Sequence, residues 1–149
     1  MCSMPADEQP QTPSTAWSTS DLKSDPHAAT DKASRVRRMF DSIAGRYDLN
    51  NRLHSLGRDQ AWRRRTAKAA VRSSDDRILD VACGTGDLSE ALAARRPGSV
   101  HGVDFSAGML DVARAKATRR TRPDGVPTPG YEQGDAMQLA LDDASFDAC

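Results

Sequence analysis

The residues whose types and spacing could do chemistry lie in three short stretches: Asp80, Gly84, Thr85, Gly86 and Asp87; then Asp104; then Asp135 and Ala136. Gly84 and Gly86 frame Thr85 in a Gly-x-Gly turn, where backbone angles closed to other residues let a ligand touch the main chain. Asp104 stands twenty positions after Gly84, the place for a carboxylate that accepts hydrogen bonds from two ribose hydroxyls. Asp135 and Ala136 fall where an adenine edge could be read, although Gly134-Asp135 is also ordinary turn chemistry. A dinucleotide loop wants a third glycine at position 89, which is Ser here. Asp80 and Asp87 on either side of the loop disfavour a pyrophosphate. They suit a ligand carrying an ammonium and a sulfonium, as S-adenosylmethionine does.

Other reactive residue types in the chain suggest packing. Cys83 lies inside the loop with no His beside it, so it reads as filler and not as a nucleophile. Cys2, Cys83 and Cys149 have no metal-ligand spacing and are expected as free thiols, and no metal site is expected. His54 and His101 read as surface or packing residues. Tyr47 and Trp62 read as anchors of the N-terminal helices on the core.

Positioning the three loops requires an α/β frame. Ile78 to Ala82 is an apolar run entering the Gly-x-Gly turn and predicts the first strand, followed by a helix from Asp87 to about Arg96 that Pro97-Gly98 stops. Val100 to Phe105 predicts the second strand, and Ser106 caps a helix running to about Arg120. Thr121 to Gly130, with three prolines and two glycines, is a loop. Tyr131 to Gln133 predicts a short third strand, and Phe146 to Cys149 opens a fourth. Strands alternating with helices argue a parallel sheet built by right-handed crossovers, which delivers all three loops to one rim. Such sheets are closed by further βα units, so the sequence is read as C-terminally incomplete.

Three segments follow from this. Residues 1–33 are rich in Ser, Thr, Pro, Asp and Gln and read as a disordered tail. Residues 34–72 read as a helical region for substrate handling or a lid: Val36, Met39, Phe40, Ile43 and Tyr47 recur at helical spacing after Ser34 as a cap, and Gly45 weakens that helix near its end. A second helix, Gln60 to Arg72, places Trp62, Thr66, Ala69 and Ala70 on one side and Arg64, Arg65, Lys68 and Arg72 on the other. Residues 73–149 form the ligand-binding core.

Charge and hydropathy narrow the classes further. The 149 residues carry zero formal net charge, yet eleven Lys/Arg face three acids between Arg35 and Arg72. That basic region is a solvated face or a contact for anionic membrane lipid, and without an aromatic-rich basic stripe nucleic acid is not expected. No run approaches the ~18 apolar residues of a membrane helix, and no apolar signal core opens the chain, so a soluble, cytoplasmic protein is expected, with peripheral contact at the inner face of the membrane.

Leu79-Asp-Val-Ala-Cys-Gly-Thr-Gly-Asp87, Gly102-Val-Asp-Phe-Ser106 with Met109-Leu110, and Gly134-Asp-Ala-Met-Gln-Leu139 running to Ser145-Phe-Asp147 together resemble the class I methyltransferases that C-methylate demethylmenaquinol and, in relatives, the ubiquinol precursor. Val36-Arg-Arg-Met-Phe-Asp-Ser-Ile-Ala-Gly-Arg-Tyr-Asp-Leu-Asn-Asn51, followed by Leu53, Ser55, Gly57, Trp62 and Arg63, is similar to that family's N-terminal signature. Asn50 stands where the family usually has Met, and Asp59 where it usually has His. The resemblance covers about Val36 to Cys149 and implies a Rossmann-like, three-layer class I methyltransferase sheet preceded by helices. It also implies S-adenosylmethionine as methyl donor, a prenylated quinol as acceptor, and in-line transfer to a ring carbon activated by deprotonation of a ring hydroxyl. Tyr47, Asp48 and Asn51 are the candidates to hold or deprotonate the quinol. Two other classes are compatible with the residues. One is a truncated product without catalysis, whose first strand would present an unpaired edge. The other is a nicotinamide-dependent Rossmann oxidoreductase, which Ser89 and Asp87 disfavour.

Overall fold

The computed structural model describes residues 32–149, and the expected tail lies almost wholly outside the described residues. Seven elements follow in order: α1 (Lys32–His54), α2 (Asp59–Ala70), β1 (Arg77–Val81), α3 (Asp87–Ala93), β2 (Ser99–Asp104), α4 (Ala107–Arg119) and β3 (Gly130–Gln133). The strands form one parallel sheet in the order β1-β2-β3, with Ile78 opposite Val100 and Gly102 opposite Tyr131. On the free side of β1, Ala148 bridges Ile78, and Leu79 N donates to Ala148 O at 3.0 Å. The chain's last residues therefore pair with the first strand, which is not left as a bare edge.

Burial explains where each helix sits. Ile78, Val100, Leu92 and Ala93 form the core between β1, β2 and α3, and α2 closes it with Ala67, while Val71 follows just after the helix. Small side chains at Ala67 and Ala93, both fully buried, let α2 and α3 approach closely. Along α4, Met109, Leu110, Ala113 and Ala117 are buried, and α1 packs against that helix. Ser106 caps α4: its Oγ accepts from Met109 N.

Several boundaries and faces differ from those expected. Helix α1 already includes Lys32, so Ser34 lies inside it and is no cap; it also runs nine residues beyond Gly45 to His54. Partners on the core side, through half-buried Tyr47, Asp48 and Asn51, outweigh the propensity cost of one glycine. Helix α3 ends at Ala93 and β1 at Val81, each shorter than the apolar pattern suggests. The inward face of α2 is the one bearing Arg63 and Ala67, not the one bearing Trp62. Trp62 is 57% exposed and anchors nothing, because Arg63 takes the inward position and pairs with Asp59 and Asp87. Leu49, Leu53 and Leu56 are likewise exposed.

Candidate functional site

The three loops that follow β1, β2 and β3 meet at one rim, and α1 crosses it. They enclose a cavity of about 380 Å³ lined mainly by apolar groups: Val81, Ala82, Val103, Phe105 and Met109 from the sheet side, and Val36, Phe40 and Tyr47 from α1. Gly84, Gly134 and Ala136 contribute main chain, and Asp104 is the one carboxylate in the lining. Phe40 and Tyr47 stack edge to face with ring centroids 6.4 Å apart, which stiffens the α1 wall.

Local chemistry fixes each loop. Gly84 and Gly86 both have positive φ, 56° and 78°, as the tight turn needs. A side chain on Gly84 would meet nothing within 4 Å, so open space adjoins its backbone and a ligand can reach it. Gly86 is closed in the opposite sense, because a Cβ there would run into the Tyr131 ring. Ala82 also has a positive φ, 57°. That is an uncommon conformation for a residue with a Cβ, and it turns the chain out of β1 into the loop. Asp104 ties the first two loops together: its Oδ2 accepts from Gly84 N at 2.7 Å and its Oδ1 from Ser106 N at 2.9 Å. Gly134 N donates to Asp104 O at 3.0 Å and Gln133 Nε2 to Phe105 O at 3.0 Å, which brings in the third loop. Each carboxylate oxygen of Asp104 retains acceptor capacity for a further donor.

The other acids expected at the site are placed elsewhere. Asp80 alternates to the opposite face of β1, where it is 7% exposed and accepts from Ser89 Oγ at 2.6 Å. Burial raises its pKa above the ordinary aspartate value, and the Asp104 charge adds to the shift. Asp87 is turned outward onto Lys116 and, at 3.1 Å, Arg63. Thr85 is buried and gives its hydroxyl to Asp48. The Asp135 side chain accepts from Met137 N at 2.9 Å, folding its own turn, so that Ala136 and not Asp135 faces the cavity. Charge complementarity at the cavity therefore rests on Asp104 alone, with Asp80 and Asp87 shaping the loop from behind.

The N-terminal candidates divide in the same way. Tyr47 lines the cavity. Asp48 is engaged by Thr85 Oγ1 and by Lys116 Nζ at 2.7 Å. Asn51, half buried one turn further on, is outside the cavity lining. Asp59 accepts from Ser55 Oγ at 2.9 Å and pairs with Arg63, so it closes the α1–α2 turn. Cys83 is buried against Gly102, and burial, followed by the charges of Asp80 and Asp104, pushes its thiol pKa up to about 12. It is chemically inert at neutral pH. Among the described residues, no group of three or more His, Cys, Asp or Glu could hold a metal ion, and no helix is long and apolar enough to cross a membrane.

Sequence reasoning missed most of the apolar wall and two polar partners, Asp41 and Lys116. Val36, Phe40 and Tyr47 share a helical stripe, and that stripe was the available signal. Which surface the stripe would cover was set by long-range packing of α1 on α4. A larger groove of about 720 Å³ lies between α2 and α3, lined by Arg52, Arg63, Arg64, Lys68, Arg95 and Arg120 among others. It contains none of Gly84, Asp104 or Ala136, so its size does not make it the loop-built site.

The sequence profile of the ubiE/COQ5 methyltransferase family matches residues 28–149. The chain is 48% identical over 119 residues to the demethylmenaquinone methyltransferase of Deinococcus radiodurans, a match covering 79% of this chain and 47% of that protein. It is 43% identical to the ubiquinone/menaquinone biosynthesis C-methyltransferase UbiE of Geobacter sp. strain M21, over 82% of this chain and 52% of the relative. With 47% and 52% of these relatives matched, the chain spans about half their length. Among solved structures, the [4+2]-cyclase SpnF superposes with a TM-score of 0.62 at 23% identity, over 78% of this chain and 47% of that one, which is a likeness of fold.

Proposed function

Because this chain belongs to the ubiE/COQ5 methyltransferase family, we propose that its cavity is the S-adenosylmethionine site of a C-methyltransferase acting on a prenylated quinol, demethylmenaquinol or the ubiquinol precursor. The observation that carries this reading is the convergence of Gly84, Asp104 and Ala136 on one largely apolar cavity beneath α1. The residues present fit the cofactor: open main chain at Gly84, a carboxylate with spare acceptor capacity at Asp104, and flat apolar walls at Phe105, Met109 and Ala136. When bound, the cofactor supplies a methyl group on a sulfonium. Asp104 would accept from the two ribose hydroxyls, Val103, Phe105 and Ala136 would exclude water from the base, and the main chain at Gly84 would receive the amino-acid end.

The chain's own contribution to transfer is alignment, which holds a nucleophilic ring carbon and the methyl group in line. Tyr47, which lines the cavity, would be the N-terminal candidate to meet an acceptor. Asp48, held by Thr85 and Lys116, ties down the helix that carries it. The basic region of α1 and α2 would meet anionic lipid, where a prenylated acceptor resides.

Calorimetric titration with S-adenosylhomocysteine tests the site. Wild type is expected to bind, and Asp104→Ala to weaken binding at least roughly 100-fold, as expected for the loss of two charge-assisted hydrogen bonds. Equal affinity of the two proteins would sink the ribose assignment.

A further inference from the structure

We propose that Asp41 and Asp48 are positioning residues that clasp α1 onto the two loops contacting the cofactor, and that Asp41 sets how long a ligand is retained in the cavity. The retention part rests on the S-adenosylmethionine reading of the cavity; the clasp itself rests on geometry alone. Asp41 and Asp48 are seven residues apart, nearly two helical turns, so their carboxylates share one flank of α1 about 10 Å apart along its axis. Each takes hold of a different loop.

Asp41 Oδ1 accepts from Ser106 Oγ at 2.5 Å and from Gly108 N at 3.0 Å, at the start of α4. Ser106 N in turn donates to Asp104, and Asp104 also accepts from Gly84 N. Thr85, the next residue, donates to Asp48, which Lys116 also holds. The polar contacts thus form a circuit around the cavity rim, from α1 through Ser106, Asp104 and the glycine loop back to α1. Phe40 and Tyr47, the aromatic wall of the cavity, adjoin Asp41 and Asp48 in sequence. Arg37, one turn before Asp41, lies over the Phe105 ring at 4.3 Å. The two helices also meet without a spacer, because a Cβ on Gly108 would lie 3.1 Å from Asp41 Cα and 3.3 Å from Asp41 O. Asp41, Asp48, the Arg37–Phe105 contact and the close helix approach at Gly108 all hold the wall, and the Asp41 attachment also reaches, through Ser106, the ligand-binding carboxylate.

Two measurements on the full chain test this. The first is the dissociation rate of S-adenosylhomocysteine by stopped flow. Asp41→Ala should release it roughly tenfold faster, as expected for losing bonds to a charged acceptor. Asp41→Asn keeps an acceptor oxygen for both donors and should stay near the wild-type rate. Gly108→Ala, whose added methyl would crowd Asp41 Cα and Oδ1 at 3.1 Å and so press on the same attachment, should also speed release. The second is amide hydrogen exchange without ligand: Asp41→Ala should lose protection in residues 36–48 while β1 and β2 keep theirs, a selectivity that general destabilisation does not produce. Unchanged release from Asp41→Ala, in a wild-type background that binds, overturns the retention role and leaves the cofactor reading standing. A wild type that binds no S-adenosylhomocysteine overturns the cofactor reading and the retention role together. Unchanged protection of α1 in Asp41→Ala overturns the clasp whatever the ligand does.

Discussion

Asp80, one residue before the end of β1, and Asp104, at the end of β2, stand near the same glycine loop, and their environments give them opposite tasks. Asp104 is half buried, multiply hydrogen-bonded and open to the cavity. Asp80 is sealed beneath α3 with Ser89 as its side-chain donor. Burial raises the Asp80 pKa above 3.8. Its contribution to stability is therefore fully present below 3.8 and lost as pH rises through the raised folded value. Asp76 works in the other sense. The N–H groups of Ser73 and Arg72 hold its pKa below 3.8, so its contribution is intact above that value and does not interfere at higher pH. Asp80→Asn keeps an acceptor for Ser89 and removes the buried charge. Urea unfolding should find this variant more stable than wild type at pH 7, with the difference shrinking as the pH falls toward about 4. A difference that is constant with pH would show that Asp80 is not the titrating group.

At the scale of elements, the segment between α4 and β3 is tied to α3 by a buried ion pair. Glu90 of α3 is 4% exposed, and Arg122 binds it through two nitrogens at 2.8 and 2.7 Å, with Arg120 adding a contact at 3.3 Å. Removing Arg122 leaves a buried carboxylate short of its main partner. Arg122→Ala should cost about 3 kcal/mol in chemical denaturation, and Arg122→Ala with Glu90→Gln should recover much of it. An additive double variant would mean that the pair is not coupled. Nothing in Thr121 to Gly130 announces this clamp, because the pairing of Arg122 with Glu90 spans 32 residues. The same limit explains what could be read from the sequence and what could not. The strands, the capped α4 and the convergence of three loops follow from short-range pattern, and each appears within a few residues of its expected place. The inward face of α2, the persistence of α1 past Gly45, and the placement of Asp80 and Asp87 away from the cavity depend on partners far along the chain. Apolar periodicity assigned Trp62 inward; the Arg63 bridge to Asp59 and Asp87 decided otherwise.

For the whole molecule, zero net charge conceals a separation. Residues 35–72 hold eleven Lys/Arg and three acids, which leaves ten Lys/Arg and 18 acids elsewhere. Arg52, Arg64, Lys68 and Arg95 collect along the groove between α2 and α3, whose acids Asp87 and Glu90 are already paired. Such a basic side should draw the chain to anionic lipid, with roughly 1 kcal/mol for each cation at the surface. In sedimentation with phosphatidylglycerol vesicles, binding is expected at low ionic strength and should fall away near 0.5 M salt, where the Debye length drops to about 4 Å. Arg64→Glu with Lys68→Glu should weaken it, whereas equal binding to neutral vesicles would discard the electrostatic account. On another part of the surface, the clamp on Glu90 leaves the turn at Asp124 and Gly125 standing clear: Gly125 has a φ of 76° and no atom within 4 Å of where a side chain would begin. Extra residues inserted there cost little, since closing a flexible loop rises by only about 0.6 kcal/mol for each doubling of its length. The turn thus offers an attachment point for a fluorophore or affinity handle, anchored by Arg122 and separate from the residues that line the cavity.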